Sequence, residues 1–262
     1  MMEEYNISLA LFTWLTQLSV GIIILRAVYM RISSGQQRLI TGRLLLSIVL
    51  VLLVTGLLFS FAHLKYPRHA FNALNNISSS WMSREILAEL ILVFSVTAWY
   101  TGIRFRIKVL SPLLFELLSV LAGIVLIFFM IKTYMLPAIP EMNHPAVPVS
   151  FIITPLLAGS SVIYLLIRKK EQAMAGRFKI VAYIMFIASL VNFVVFSVYQ
   201  DDLPLLNPYY ALWLVAAILL IISLMATNKN KSVFPDVIFL TLALICDFSA
   251  RVYTLTYTGP GL

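Results

Sequence analysis

Eight apolar stretches follow one another along this chain, each close to the roughly 20 residues that carry a helix across a bilayer. They run over about 8–30, 44–63, 86–101, 112–132, 148–167, 180–199, 209–226 and 233–257. Segments buried in hydrocarbon must satisfy their own backbone N–H and C=O groups, so each is expected to be a helix. Eight spans use about 160 residues and leave about 100 for seven connections and two tails, too few in any one place for a soluble domain. The expected fold is an all-α integral membrane protein of eight transmembrane helices, with residues 1–262 forming one polytopic domain. Composition agrees. The protein is 61% apolar and 11% charged, where soluble folds carry about 25% charged residues.

Proline marks the spans. Pro112, Pro148 and Pro235 lie near helix starts, where a missing N–H costs little. Pro155 falls inside the fifth span and predicts a kink. The third span is short unless it begins near Ser83 or Met82. The first has Glu3 and Glu4 before it, no basic region and no small-residue cleavage site, so it reads as retained rather than as a signal peptide.

The net charge of +8 does not point to nucleic acid, because the basic residues sit between the spans. Arg26, Arg31, Arg38 and Arg43 flank the first connection, and Arg104, Arg106 and Lys108 the third. Arg168, Lys169, Lys170, Arg177 and Lys179 occupy the fifth, and Lys229 and Lys231 the seventh. These 14 share one side, against 5 on the other: Lys65, Arg68, Arg84, Lys132 and Arg251. The positive-inside rule places the richer side in the cytoplasm, and both termini outside.

Ionisable groups at membrane depth are costly and are therefore candidates for function. On this orientation Gln17, His63, Glu85, Glu89, Lys132, Asp247 and Arg251 all fall in the outer half, with Glu116 near the inner end as the exception. Asp247 and Arg251 have i,i+4 spacing and share a helical face, as do Glu85 and Glu89. The first pair reads equally as a functional couple or as an ion pair that stitches helices together. Of the second, Glu89 reads equally as buried or as turned to the aqueous rim.

The outer connection 63–85 is the richest segment. It holds His63, Lys65, Arg68, His69, Arg84 and Glu85, interleaved with Phe71, Asn72, Asn75, Asn76 and Trp81. An interfacial aromatic belt accounts for Phe71 and Trp81. It does not account for basic residues on the side where positive charge is otherwise sparse.

Several chemistries are excluded. One cysteine, Cys246, cannot ligate an iron–sulfur cluster, which takes about four thiolates. His63, His69 and His144 are too few for two haems and are poorly placed for one. No mid-span lysine suits a retinal Schiff base, and there is no phosphate-cradling Gly-rich loop or zinc-protease motif. A pocket in the outer leaflet that contains a His, carboxylates and an Arg suits a lipid-soluble proton donor such as a quinol. An imidazole and a carboxylate can each take a quinol hydroxyl proton as the electrons leave.

The same residues carry a resemblance. His63, Leu64, Pro67, Ala70, Phe71, Ala73 and Leu74, followed by Ser80, Trp81, Ser83, Arg84 and Glu85, match the outer loop of the membrane-anchor subunit of the dimethyl sulfoxide reductase family. Phe12, Thr13, Gln17 and Gly21 in the first span, and Asp247, Arg251 and Tyr253 in the last, are similar to that family's pattern, with Asp247 standing where it has Glu. Lys65 stands where the family usually has Gly, and His69 where it has Arg.

The resemblance implies a multi-pass anchor in the bacterial inner (cytoplasmic) membrane. Such an anchor binds menaquinol near the outer (periplasmic) face. It passes electrons to an iron–sulfur subunit, which feeds a molybdopterin catalytic subunit, both docked outside. The anchor itself would hold no haem, metal or iron–sulfur cluster and bind no nucleic acid. His63 and Glu85 would accept protons, Asp247 and Arg251 would shape the pocket's field, and Gln17 would line it. Arg68, His69, Arg84, Glu89, Lys132 and Tyr134 are further candidates for contact with quinol or partner. A small-solute transporter, and a non-redox assembly or sensor protein, are the alternatives.

Overall fold

The computed structural model describes residues 2–34, 36–62, 72, 74–107, 111–135, 137, 142–199, 208–227 and 234–257. His63, Arg68 and His69 lie outside the described residues.

Among the described residues the protein forms eight helices: α1 (Met2–Ile32), α2 (Gln36–Ala62), α3 (Trp81–Phe105), α4 (Pro112–Tyr134), α5 (Ala146–Ile167), α6 (Gln172–Tyr199), α7 (Pro208–Thr227) and α8 (Phe234–Tyr257). Seven of them, all but α7, contain a described stretch long and apolar enough to cross a membrane. The protein is a multi-pass, all-helical membrane protein.

Helix ends follow local chemistry. The Ser80 side chain accepts from the Ser83 N–H and caps α3 at its start. Arg106, in the left-handed region at φ 55°, closes it. Pro112 occupies the first turn of α4. Ahead of α5, His144 Nδ1 accepts from the Ala146 N–H at 3.2 Å, and its ring stacks on Tyr199 of α6. α5 runs through Pro155 as one continuous helix.

α1 and α5 form the centre. Two thirds of the apolar stretch of each is buried, against 28% for α2 and α4. Between lipid-facing helices there is little hydrophobic drive, so close backbone approach through small residues decides contact. That approach occurs at Gly21 and Gly159. A Cβ on Gly21 would overlap the Pro155 carbonyl oxygen, and one on Gly159 would lie 2.5 Å from the Gly21 carbonyl. α2, α4 and α8 pack around this pair, α3 packs on α4 and α2, and α6 covers α5. Trp213 of α7 is stacked between Phe186 and Phe193 of α6. Val51, Leu58, Phe94, Leu113 and Ile180 are more than half exposed and form the surface that meets lipid.

Candidate functional site

Polar side chains gather at both ends of the bundle. The near end is where α1, α3 and α5 begin and α4, α6 and α8 finish. There Asp247 is buried and receives three hydrogen bonds: from Trp14 Nε1 at 3.0 Å, from Thr154 Oγ1 at 3.0 Å and from Ser189 Oγ at 3.4 Å. Arg251 is also buried and donates through Nη2 to Gln17 Oε1 at 2.8 Å and to Thr154 Oγ1 at 3.5 Å. Its guanidinium lies 4.0 Å over the Phe151 ring.

Asp247 and Arg251 share a face, as their spacing predicts, but they form no direct ion pair. Thr154 stands between them, donating to the carboxylate and accepting from the guanidinium. The expected ion-pair stitch is thus replaced by a hydroxyl bridge from α5.

Glu85 and Glu89 are both buried, so neither turns to an aqueous rim. Thr16 Oγ1 donates to Glu89 Oε1 at 3.3 Å. Tyr134, buried at the close of α4 with its ring 5.4 Å from that of Phe151, lies within electrostatic reach of Glu85, Glu89 and Arg251. These contacts bring Gln17, Glu85, Glu89, Tyr134, Asp247 and Arg251 into one buried polar layer.

Among the described residues, two atoms of that layer, Glu85 Oε2 and Gln17 Nε2, are buried with no hydrogen-bond partner. A buried orphan of this kind costs about 1–3 kcal/mol, and one that persists points to a missing ligand or a functional demand. Beside the layer, Thr154, Ser189, Asn192, Asp247 and Arg251 line a narrow cleft. Its free volume of about 30 Å³ is room for one or two waters.

Two candidates stand apart from the layer. Arg84 donates to the carbonyls of Ile77 (2.8 Å) and Ser78 (2.5 Å) and lies over the Trp81 ring, so it pins the turn ahead of α3. Lys132 is exposed, its ammonium 5.8 Å from the Phe128 ring. Trp14, Thr154 and Ser189 belong to the layer, though nothing in an apolar helix marks a lone Thr, Ser or Trp as a ligand of a distant carboxylate.

The far end is richer than Glu116 alone. Glu116 pairs with Arg26 and with Arg31, the latter at 2.7 Å. Glu171 accepts from Tyr29 and Ser33. Asp236 accepts from Tyr164, Tyr183 and Lys179. Buried polarity is therefore not confined to the near end, because a second layer closes the other end. Asp236 escaped the sequence reading because it sits where a short connector meets the eighth span. Its carboxylate, like those of Glu116 and Glu171, is fully engaged.

The family model for the DMSO reductase anchor subunit (DmsC) matches residues 1–255. The protein belongs to this family. The match takes in every residue of both polar layers. The C subunit of the anaerobic dimethyl sulfoxide reductase of Haemophilus influenzae is 30% identical over 171 residues, 64% of this protein and 61% of that one. The YnfH subunit of an anaerobic dimethyl sulfoxide reductase of Escherichia coli is 29% identical over 156 residues, 58% of this protein and 54% of that one. The matched stretch thus spans less than two thirds of either relative's own length. No solved structure matches the sequence.

Proposed function

We propose that this protein is the quinol-oxidising membrane anchor of a molybdopterin reductase complex, with eight spans and both termini outside. The observation that carries the reading is the pair of orphaned buried atoms in one layer, the Glu85 Oε2 acceptor and the Gln17 Nε2 donor. A hydroquinone offers a hydroxyl hydrogen to an acceptor and an oxygen to a donor, so the two unmet demands have the chemistry of its ring substituents.

Oxidation of the quinol gives quinone, two protons and two electrons. On this reading Glu85 takes one proton and His63, at the other end of the outer connection, takes the second. Gln17 Nε2 donates to the quinol or quinone oxygen and orients the ring. Arg251 is held to Gln17 and Asp247 to Thr154, which keeps the charges around the ring fixed while it changes oxidation state. The electrons leave for an iron–sulfur cluster in a docked partner, which serves as the one-electron carrier. The cleft of about 30 Å³ is too small for a ring, so the ring is assigned instead to the side of the layer that Glu85 and Tyr134 form. Membership of the family and the names of the two relatives support the partner assignment. Menaquinone is the quinone the resemblance favours.

The test is binding of a fluorescent hydroxyquinoline-type quinol analogue to the purified protein in detergent. Saturable quenching that is lost in Glu85→Gln and weakened in Gln17→Leu is the expected result. Equal binding by all three proteins would remove the layer from the quinol site.

A further inference from the structure

A second cleft opens between α2 and α3 at the far end, away from the quinol layer. It is lined by Arg43, Leu44 and Ser47 of α2 and by Tyr100, Ile103 and Arg104 of α3, and holds about 270 Å³ of free volume. That compares with ~30 Å³ per molecule in liquid water. It is the larger of the two clefts, and it is built differently from either polar layer.

The other basic residues of α1 that reach this end are already engaged. Arg26 and Arg31 meet Glu116, and Arg26 also donates to the Gly42 carbonyl and covers Trp99. Arg43 and Arg104 have no carboxylate partner among the described residues. Arg43 donates only to the Leu39 carbonyl within its own helix, at 3.4 Å, and Arg104 lies 5.8 Å from the Phe105 ring. Both are exposed. Topology alone asks for positive charge somewhere near the span ends. It does not ask for two unneutralised guanidiniums, on two helices, facing one cleft with two hydroxyls and an apolar floor.

The depth also fits. Arg43 stands in the second turn of α2 and Arg104 in the last turn of α3, so the cleft sits at the ends of two apolar spans, where headgroups are expected. Leu44 of the lining is 46% exposed and Phe105, beside Arg104, 67%, which continues the apolar surface outward from the charges. Guanidinium is the group best suited to a phosphate diester, because it offers paired donors in a fixed plane.

We propose that this cleft binds the headgroup of an anionic phospholipid. Arg43 and Arg104 clamp the phosphate, Tyr100 donates to an ester oxygen, Ser47, whose hydroxyl donates to the Arg43 carbonyl, accepts from a glycerol hydroxyl, and Leu44 and Ile103 carry the start of the acyl chains. The site is independent of the quinol reading and stands or falls separately from it. Its ligand chemistry, a phosphate flanked by apolar tails, separates a lipid from free phosphate, which lacks the tails.

The experiment is native mass spectrometry of the full protein, released from detergent after incubation with phosphatidylglycerol, with phosphatidylcholine as the zwitterionic control. The wild-type protein is expected to retain phosphatidylglycerol in preference to phosphatidylcholine. Each arginine near a membrane surface contributes about fivefold to anionic-lipid binding, so Arg43→Gln with Arg104→Gln is expected to lower retention about 25-fold. Arg177→Gln, an exposed basic residue of α6 outside the cleft, should lower retention by no more than the roughly fivefold of one surface charge. Arg43→Lys with Arg104→Lys keeps the charge and should fall between the two, which guards against misfolding as the cause. Added inorganic phosphate at millimolar concentration should not displace the lipid. Equal retention by the double Gln variant, equal retention of phosphatidylcholine, or displacement by inorganic phosphate would each overturn the proposal.

Discussion

Arg251 Nη2 donates to Gln17 Oε1 at 2.8 Å, joining the last helix to the first across 234 residues of sequence. The bond uses the oxygen of the Gln17 amide and leaves its Nε2 without a partner among the described residues. One residue thus both anchors a buried guanidinium and presents a free donor, and the two roles separate on substitution. Gln17→Glu keeps an acceptor for Arg251 and removes the free donor. Gln17→Leu removes both. Thermal unfolding in detergent should show the Leu variant destabilised by about 1.5–3 kcal/mol, the range for losing a hydrogen bond to a charged group, and the Glu variant much less affected. Equal loss in both would mean that the Arg251 contact does not hold the helices together.

The α1–α5 crossing has no room for a methyl group. Gly21→Ala drives its Cβ into the Pro155 carbonyl oxygen, against backbone that cannot rotate away. A drop in stability at the upper end of the 1–3 kcal/mol range for overpacking is expected, read as a lower midpoint in detergent unfolding. Gly176→Ala is the control, since nothing lies within 4 Å of its new Cβ. Within a helix that change should be neutral or stabilising by roughly 0.5–1 kcal/mol.

The far-end layer is expected to be structural. Asp236→Asn weakens the ties from Lys179, Tyr164 and Tyr183 and should cost about 1–3 kcal/mol in stability. The ratio of quinol-dependent to artificial-donor activity in membranes should stay at the wild-type value. A selective fall in the quinol-dependent rate would give the far end a share in the chemistry.

Orientation follows from the 14 basic residues on one side against 5 on the other. Reporter fusions after Met30 and Leu110 should read cytoplasmic, and fusions after Leu74 and Leu206 external. The inverted pattern would place the quinol layer on the inner face.

Much of the helical layout was legible in the sequence because hydrocarbon permits so few backbone solutions. The expected spans at 112–132 and 148–167 lie within α4 and α5, and the suggested start near Met82 is one residue from that of α3. The misses lie at charged ends. α2 begins at Gln36 rather than near 44, and α6 at Gln172 rather than near 180. Arg38, Arg43, Arg177 and Lys179 end the apolar run without ending the helix: Arg43 and Arg177 are exposed and free to reach the headgroups, Arg38 donates to the Met30 and Ser33 carbonyls, and Lys179 pairs with Asp236. The candidate site was legible where i,i+4 spacing fixes a shared face, as for Glu85 with Glu89 and Asp247 with Arg251. Partners on other helices were not. Which face of α1 meets α8 depends on the Gly21–Pro155 contact, and no local pattern says that Thr154 will bridge Asp247 and Arg251.

On the quinol reading, the near-end layer receives protons from quinol and takes no part in the distal chemistry. Membranes containing the wild-type or the Glu85→Gln protein, together with its partner subunits, are assayed twice on the same preparation: once with a menaquinol analogue and once with a soluble viologen donor that bypasses the anchor. Loss of a general base costs about 10²–10⁴-fold. A fall of that order in the quinol-dependent rate is expected, with the viologen rate unchanged. Quinol-dependent turnover at the wild-type rate would contradict that reading.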